Sequence, residues 1–320
     1  MAAPLNLSAP SSKRQIPIVC PGHTRPLTEV HYRDTVDGTF LISACHDKMP
    51  MLRNGTSGDW IGTFAGHKGA VWSAKLDSEG LLAATGAADY TAKIWDAITG
   101  KELHEFSHKH IVKSVEFNQD STALITGGHE GIFRVFDLNT NELLCELPHD
   151  PNEKLIINKA IWGTDPNTVL TGASNGTVHV WDLQSKTRKC QLVCSSKLVQ
   201  DMNITNTPKG PVLTVAAGNT VHFFDANTFE SQQCHEMPIN FHEEGGASLH
   251  PDGLRFIAGG SDTWVRVFDR VTGAELECHK GHHGPVRCLR YAPNGQTYAT
   301  GSEDGTIRIW EDQPAELVAE

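Results

Sequence analysis

The sequence lacks several patterns that would place it in well-known functional classes. It contains no run of 18 apolar residues, so no transmembrane helix is predicted. The segment from Met1 to Gln15 has no apolar stretch of the length that a secretory signal needs. The phosphate-binding pattern G-x-x-x-x-G-K-[ST] and the nucleophile elbow G-x-S-x-G are both absent. We therefore expect no membrane span, no small-molecule substrate and no enzymatic activity.

Metal-binding patterns are also missing. The eight Cys include no C-x-x-C pair, and nothing near Cys190 and Cys194, the closest two, completes a zinc site. His279, His282 and His283 form a short cluster that lacks a further ligand. We expect no metal and no cofactor. Thiols without a disulfide framework are typical of reduced compartments, so the expected location is the cytoplasm and nucleus.

Basic residues are too few for a general nucleic-acid-binding surface. The chain has 27 Lys and Arg against 38 Asp and Glu, a net charge of −11. Binding to phosphates without sequence preference needs an excess of cations. Lys186, Arg188 and Lys189 form one small basic run, which we interpret as a solvated turn, with RNA contact as the alternative. We expect RNA to be reached only indirectly, through protein partners of basic character.

What the sequence does contain is an internal repeat. Six aromatic-acidic pairs follow one another at spacings of 41 to 45 residues. They are Trp95-Asp96, Phe136-Asp137, Trp181-Asp182, Phe224-Asp225, Phe268-Asp269 and Trp310-Glu311. A degraded seventh pair, Arg53-Asn54, stands 42 residues before Trp95. Gly-His or X-His markers such as Gly66-His67 and Gly281-His282 precede most pairs, with short β-runs between. This period and these markers are typical of WD40 repeats, so we predict an all-β, seven-bladed WD40 β-propeller.

The marker residues can form one buried polar network per blade. Two blades carry complete sets of His, Thr, Asp and Trp: His67, Thr85, Asp89 and Trp95 in blade 2, and His282, Thr300, Asp304 and Trp310 in blade 7. A hydrolase triad would use the same residue types, but this set recurs from blade to blade without a nucleophile elbow. We therefore predict a structural role.

The other blades carry incomplete sets. Blade 4 offers His149, Thr171, Asn175 and Trp181; blade 3 offers His108, Thr126, Glu130 and Phe136; blade 1 offers His23, Ser43 and Asp47 with Arg53 at the Trp position. Blades 5 and 6 have Phe224 and Phe268 at the Trp position, and Ser196 and Asn240 where His is expected.

The two ends of the chain are expected to close the ring. The β-run from Gln15 to Cys20 precedes the first blade, and the last blade lacks a fourth strand after Trp310. We predict that the N-terminal run supplies that strand and so removes an open edge. The expected domain limits are a disordered extension at 1–13, the propeller at 14–310 and an acidic tail at 311–320.

One face around the central channel is the expected binding surface. By alignment, one residue near the start of each inner strand lies on this face: Thr28, Trp72, Lys113, Asn158, Gln200, Gly245 and Arg287. The residue before the turn acid joins them, for example His46 and Glu303. The candidates for partner contact are Trp72, Lys113, Arg287, His46 and Glu303, with Trp72 as the anchor. The alternatives are that the Trp72 ring packs between blades and that Lys113 and Arg287 are solvated charges without a partner protein.

The amino-acid sequences of several repeats resemble those of one WD40 family. NGTSGDWIGTF at 54–64, HKHIVKSV at 108–115 and KGHHGPVRCLRYAPNGQTYATGSEDGTIRIW at 280–310 are similar to the family of serine-threonine kinase receptor-associated proteins. The resemblance spans about residues 14–310 and is weakest in units 4 and 5.

This resemblance implies a non-catalytic adaptor of the survival-of-motor-neuron complex, which assembles spliceosomal small nuclear ribonucleoproteins. The implied partners are subunits of the survival-of-motor-neuron and Gemin types and Sm-type proteins, and a role with TGF-β receptor and Smad proteins is also implied. Two alternatives stay open: the i-type subunit of eukaryotic translation initiation factor three, and an enzyme with titratable groups in the central channel.

Overall fold

The computed structural model describes residues 15–150, 152–241 and 245–312. These residues form 28 strands, arranged as seven four-stranded antiparallel sheets, and include no helix. None of the described residues belongs to a helix long and apolar enough to cross a membrane. The predicted seven-bladed, all-β WD40 propeller is therefore confirmed.

The first four blades each use four strands that are consecutive along the chain. Blade 1 comprises β2 (Leu27–Thr35), β3 (Gly38–Cys45), β4 (Met51–Asn54) and β5 (Trp60–Thr63). Blade 2 comprises β6 (Val71–Leu76), β7 (Leu82–Ala87), β8 (Thr91–Asp96) and β9 (Glu102–Ser107). Blade 3 comprises β10 (Val112–Phe117), β11 (Ala123–Gly128), β12 (Ile132–Asp137) and β13 (Leu143–Pro148). Blade 4 comprises β14 (Ile157–Trp162), β15 (Thr168–Ala173), β16 (Thr177–Asp182) and β17 (Thr187–Val193).

Blades 5 and 6 repeat this order, and blade 7 departs from it. Blade 5 comprises β18 (Val199–Thr207), β19 (Gly210–Ala217), β20 (Thr220–Asp225) and β21 (Ser231–Glu236). Blade 6 comprises β22 (Gly246–Leu249), β23 (Arg255–Gly259), β24 (Trp264–Asp269) and β25 (Glu275–Lys280). Blade 7 comprises β26 (Val286–Tyr291), β27 (Thr297–Ser302), β28 (Ile307–Glu311) and the N-terminal β1 (Ile18–Cys20).

The ring closes through the N-terminal strand, as predicted. β1 pairs antiparallel with β28, and the paired residues are Ile18 with Ile309, Val19 with Arg308 and Cys20 with Ile307. Since residues from opposite ends of the chain share one sheet, the last blade has no missing outer strand. β28 runs through Glu311, and Asp312 forms an ion pair of 2.5 Å with Arg255, so ordered contacts continue past the expected limit at 310. The expected extension at 1–13 and residues 313–320 of the tail lie outside the described residues.

The hydrophobic core lies between the blades rather than at one centre. Each of the seven buried clusters joins two neighbouring sheets, and one of them packs Leu27 and Leu41 of blade 1 against Ile307 and Ile309 of blade 7. Because a sheet within the ring is covered on both faces, the second strand of a blade is largely buried, and in Ala123–Gly128 and Thr168–Ala173 it is buried throughout. The outer strands are mostly exposed, and in Leu143–Pro148 only Cys145 is buried.

In four of the six aromatic-acidic pairs, the acidic residue fixes the turn that follows it. Asp96 Oδ1 accepts hydrogen bonds from the backbone N–H groups of Ile98 at 2.9 Å and Thr99 at 2.8 Å. The same arrangement recurs at Asp137, Asp225 and Asp269. A short carboxylate that binds the backbone two residues on is a common turn device. The repeat therefore marks turns as well as strands.

The glycine of the Gly-His marker leaves room for the tryptophan of the same blade. A Cβ at Gly66 would lie 3.0 Å from the ring of Trp95, and one at Gly281 would lie 3.0 Å from the ring of Trp310. Both distances are tighter than ordinary van der Waals contact. The two markers of a repeat, about 29 residues apart in sequence, are thus one packing unit.

Candidate protein-binding site at the channel mouth

The four marker residues of blade 2 form a continuous hydrogen-bonded chain. His67 Nδ1 lies 2.8 Å from Asp89 Oδ2, and His67 Nε2 lies 2.6 Å from Thr85 Oγ1. Trp95 Nε1 donates to the same Thr85 hydroxyl at 2.8 Å. Since Thr85 accepts from Trp95, its own hydrogen is available to His67 Nε2, and His67 Nδ1–H then donates to Asp89. Burial opposes ionisation of Asp89, but the hydrogen bonds from His67, Thr91 and the backbone N–H of Lys68 together outweigh it, and the pKa lies below its usual value.

Blade 7 repeats the arrangement. His282 lies 3.3 Å from Asp304 and 2.8 Å from Thr300, and Trp310 Nε1 donates to Thr300 at 2.9 Å. The structure thus brings together both complete sets that the sequence identifies. Both ring nitrogens of the histidine in each set are engaged within its own blade.

Two of the incomplete sets are joined differently from the expectation. In blade 4, His149 reaches Thr171 at 2.8 Å, but its other nitrogen contacts Thr177 at 3.2 Å, and only Thr177 contacts Asn175. In blade 3, Glu130 does not join His108. It accepts hydrogen bonds from Arg134, four residues on, at 2.7 and 3.2 Å.

Blade 1 keeps most of the network without a tryptophan. His23 lies 2.8 Å from both Asp47 and Ser43. The Arg53 side chain, at the Trp position, donates to the backbone carbonyls of Gly58 and Pro21. Ligand atoms of His23, Cys45 and Asp47 lie within 4.8 Å of one another. The hydrogen bonds of blade 1 account for this proximity.

The networks weaken in the two remaining blades. Thr214 in blade 5 is 1% exposed, and its hydroxyl has no hydrogen-bond partner among the described residues. Blade 6 has Ala258 at the equivalent position and Phe268 in place of tryptophan, and Asp262 pairs with Arg266 at 2.7 Å. These blades depend on apolar packing instead.

The candidate binding face surrounds the mouth of the central channel. All seven of the residues aligned at the start of the inner strands line one depression of roughly 600 Å³, a volume that includes open solvent at its entrance. Six of them stand at a register shift between the first two strands of their blade. These are Thr28, Trp72, Lys113, Asn158, Gln200 and Arg287. A β-bulge re-aims a side chain, so the bulge explains why one residue per blade lines the mouth.

Trp72 occupies the centre of a three-residue cluster. Its ring meets the His46 ring edge-on at a centroid distance of 4.8 Å, and Lys113 Nζ lies 4.4 Å from the centroid of its ring. Trp72 is half-buried, and it contacts side chains from both neighbouring blades. The structure therefore combines the two readings of Trp72: the ring packs between blades and also lines the mouth.

The remaining candidates lie at the rim. Arg287 is half-buried and lines the mouth, while Glu303 is exposed. Burial lowers the pKa of His46, and the charges of Arg287 and Lys113 lower it further, whereas Asp47 and Glu303 oppose the shift. His46 is therefore neutral near pH 7.

Below the mouth, a buried ion-pair network crosses the channel. Glu29 lies 2.5 Å from Lys159 and 3.3 Å from Lys75, and Asp201 binds Arg290 through two contacts of 2.6 Å. Burial opposes ionisation of Glu29, but the ammonium groups of Lys159 and Lys75 outweigh it, so the pKa of Glu29 lies far below its usual value. The repeat markers did not predict this network. A usable signal was present in the charged residues that directly follow three bulge positions, Glu29, Lys159 and Asp201.

Titratable groups do converge in the channel, as the enzyme alternative required. The groups of the buried ion-pair network are mutually paired, however, and a general acid or base needs a pKa near the working pH. The low pKa of Glu29 and the raised pKa of Lys159 do not meet that condition. The arrangement is suited to structure and to binding.

Comparisons with known proteins agree with this architecture. The model of the WD domain, G-beta repeat matches residues 58–96, 100–137, 143–182 and 273–311. Each range ends with the third strand of its blade, at β8, β12, β16 and β28. The serine-threonine kinase receptor-associated protein of Dictyostelium discoideum is 42% identical over 92% of this chain and 98% of its own length. The human protein of that name is 43% identical over 93% of this chain and 83% of its own length.

A second group of relatives is more distant. Subunit I of eukaryotic translation initiation factor 3 from Schizosaccharomyces pombe is 28% identical over 92% of this chain and 95% of its own length. The seven-bladed ring and its repeat markers define a WD40-repeat protein of the scaffold class. Within that class, the chain belongs to the serine-threonine kinase receptor-associated protein family.

Proposed function

We propose that this protein is a non-catalytic adaptor of the survival-of-motor-neuron complex, which assists the assembly of spliceosomal small nuclear ribonucleoproteins. The observation that carries the proposal is identity of 42–44% to serine-threonine kinase receptor-associated proteins over nearly the whole propeller. The role in the complex is the one that the resemblance of this chain to that family implies. The proposed location is the cytoplasm and nucleus, where such particles are assembled and used.

The channel mouth supports an adaptor rather than an RNA-binding role. Its polar groups stand in a ring of one residue per blade, which suits a short protein segment better than an extended polyanion. The basic run at 186–189 is partly engaged by its own blade, because Lys189 Nζ donates to Thr168 at 2.9 Å and Arg188 lies 3.3 Å from His179. RNA is therefore proposed to be reached through protein partners of the survival-of-motor-neuron, Gemin and Sm types.

Affinity purification of the tagged full chain from native cytosol, followed by quantitative mass spectrometry, tests this proposal. We expect recovery of survival-of-motor-neuron, Gemin-type and Sm-type proteins. Recovery of initiation-factor subunits alone would instead support the second candidate, which the 28% identical relatives favour.

The name of the relatives supports one further candidate role, association with a receptor kinase. The same purification, repeated from cells with and without TGF-β stimulation where that pathway is present, tests it. Enrichment of receptor and Smad proteins after stimulation is the expected result, and no enrichment would reject this role.

A further inference from the structure

Three adjacent side chains at the channel mouth have polar atoms without a good hydrogen-bond partner. Trp72 Nε1 and His46 Nε2 are buried and have no partner among the described residues. Lys113 Nζ has one weak contact, to Asn158 Oδ1 at 3.4 Å. Buried polar groups in folded proteins are nearly always satisfied, so a cluster of exceptions needs an explanation. Trp72 and Lys113 of this cluster line the open depression at the mouth.

Lys113 also differs in its ion pairing from the deeper cations of the channel. No carboxylate oxygen in the described part of the chain lies within 4.0 Å of Lys113 Nζ. Burial lowers the pKa of Lys113, and the nearby charges of Lys159 and Arg287 lower it further, to about 8. Lys159, one layer deeper, differs because its pairing with Glu29 raises its pKa. Within the described residues, the acids of the channel are therefore engaged by the deeper cations.

We propose that the mouth binds a carboxylate side chain from an acidic segment of a partner protein, with Lys113 as the counter-ion and the Trp72–His46 pair as its flank. This inference names the partner chemistry of the adaptor face and so rests on the adaptor function proposed above. A carboxylate bound there accepts hydrogen bonds from Lys113 and from Trp72 Nε1 and compensates the surplus charge.

An acidic peptide fits the mouth better than RNA does. Base recognition by stacking needs an aromatic face, but the Trp72 ring is covered by the Lys113 ammonium and by the edge of His46. A long polyanion would also meet a chain of net charge −11. A peptide can place one carboxylate in the mouth while its other residues lie on the rim. This partner is opposite in sign to the basic partners that the net charge alone suggests.

Selection from a phage-displayed library of random 12-residue peptides tests the proposal on the full chain. We expect peptides bound by the wild-type protein to be enriched about fivefold or more in Asp and Glu at one position. The selected peptide should bind roughly tenfold more weakly to Lys113→Met, as the loss of one charge-assisted contact predicts. Lys113→Arg should restore most of the affinity. Lys101→Met, in the exposed turn between β8 and β9, is the matched control and should bind as wild type.

A spectroscopic readout separates binding at the mouth from a change in folding. The selected peptide should shift the indole N–H resonance of Trp72, assigned by its loss in Trp72→Phe. Lys113→Met should keep the wild-type thermal midpoint. Selection without acidic enrichment, or acidic peptides that bind Lys113→Met equally well, would overturn the proposal. The proposal would also be overturned, in favour of RNA, if a uridine 12-mer displaced the peptide and Lys113→Met no longer bound that RNA.

The outcomes for this inference and for the proposed function are distinguishable. Wild-type protein that recovers survival-of-motor-neuron subunits but selects no acidic peptides keeps the adaptor role and rejects the carboxylate site. Protein that selects acidic peptides through Lys113 but recovers only initiation-factor subunits keeps the site and rejects the proposed complex.

Discussion

At the scale of single residues, one hydroxyl group decides whether a blade's buried polar atoms are satisfied. Thr85 in blade 2 contacts both His67 and Trp95, whereas Thr214 in blade 5 has no partner among the described residues. Both threonines are essentially inaccessible, at 0% and 1% exposure. Equivalent positions of two blades can therefore be compared, one with a hydrogen-bonded hydroxyl and one whose hydroxyl has no partner among the described residues.

Thr85→Val should destabilise the protein because it leaves His67 Nε2 and Trp95 Nε1 buried without partners. We expect a loss of about 2–4 kcal/mol in the free energy of unfolding, since each orphaned group costs about 1–3 kcal/mol. Denaturant-induced unfolding measures the difference. Thr214→Val is the control and should be neutral or slightly stabilising, because valine keeps the shape and removes an unsatisfied hydroxyl. Equal losses in the two variants would show that the network contributes nothing.

At the scale of strands, the β-bulge explains why the aligned residues converge. Trp72 stands where the pairing of β6 with β7 shifts between Val71 and Ser73. Lys113 stands at the equivalent shift between Val112 and Ser114. Strict alternation would send every second residue of a strand to the same side, and the extra residue interrupts that rule. A repeat alignment identifies these positions, but only the paired strands show that their side chains line one cavity.

The blades should differ in local stability according to their networks. Blades 2 and 7 have complete hydrogen-bonded sets, while blades 5 and 6 have no complete set among the residues that the structure describes. We expect backbone amides in β7 and β27 to exchange hydrogen more slowly than those in β19 and β23, since exchange follows local opening. Hydrogen exchange measured by mass spectrometry tests this. Uniform protection across the four strands would argue against a role of the networks in blade stability.

The N-terminal strand should stabilise the whole ring. Deleting residues 1–20 removes β1 and leaves β28 as an open edge, so we expect a lower thermal midpoint and a tendency to aggregate. Deleting residues 1–13 keeps β1 and serves as the control, with a midpoint close to that of the full chain. Thermal unfolding followed by circular dichroism compares them. If the longer deletion melts with the full chain, strand closure is not what holds the ring together.

At the scale of the whole molecule, charge is distributed unevenly. The chain as a whole carries a net charge of −11, yet cations outnumber acids among the described residues that line the mouth and the upper channel. The deeper ion pairs also join distant parts of the ring, because Glu29, Lys75, Lys159, Asp201 and Arg290 come from five different blades. The net charge therefore describes the outside of the protein and not its channel.

Acid should weaken the fold well above the range in which carboxylates titrate. Burial lowers the pKa of His108 to about 4 and that of His149 to about 3. The unfolded chain binds protons at these sites near pH 6.5, and the folded chain does not. Stability is thus fully present above pH 6.5 and is lost as pH falls toward 4. We expect unfolding to take up about two or more protons at pH 5.

The dependence of the unfolding free energy on pH between 7.5 and 4.5 measures this uptake. His149→Asn should reduce the uptake by about one proton, because it removes one depressed site. His283→Gln, at an exposed position, should leave it unchanged. A flat profile down to pH 5 would contradict the burial of neutral histidines.

The sequence alone determined the features that repeat. Seven units with recurring Trp-Asp and Gly-His markers specify the propeller and its blade count, because the period of the repeat equals one blade. They also specify the complete networks of blades 2 and 7, because those networks depend on contacts within one blade. The need to close the ring also identified β1, since an unpaired outer edge is unfavourable.

Only the tertiary structure decided the features that join different blades. The ion pairs across the channel join residues from different blades, and so does the cluster of Trp72, His46 and Lys113. The arrangement of the blades around the ring brings these residues together, and their spacing along the chain does not reveal it. Pairwise contact between non-repeating side chains carries no periodic signal. The polarity of the channel mouth therefore emerged only when all seven blades were placed around one axis.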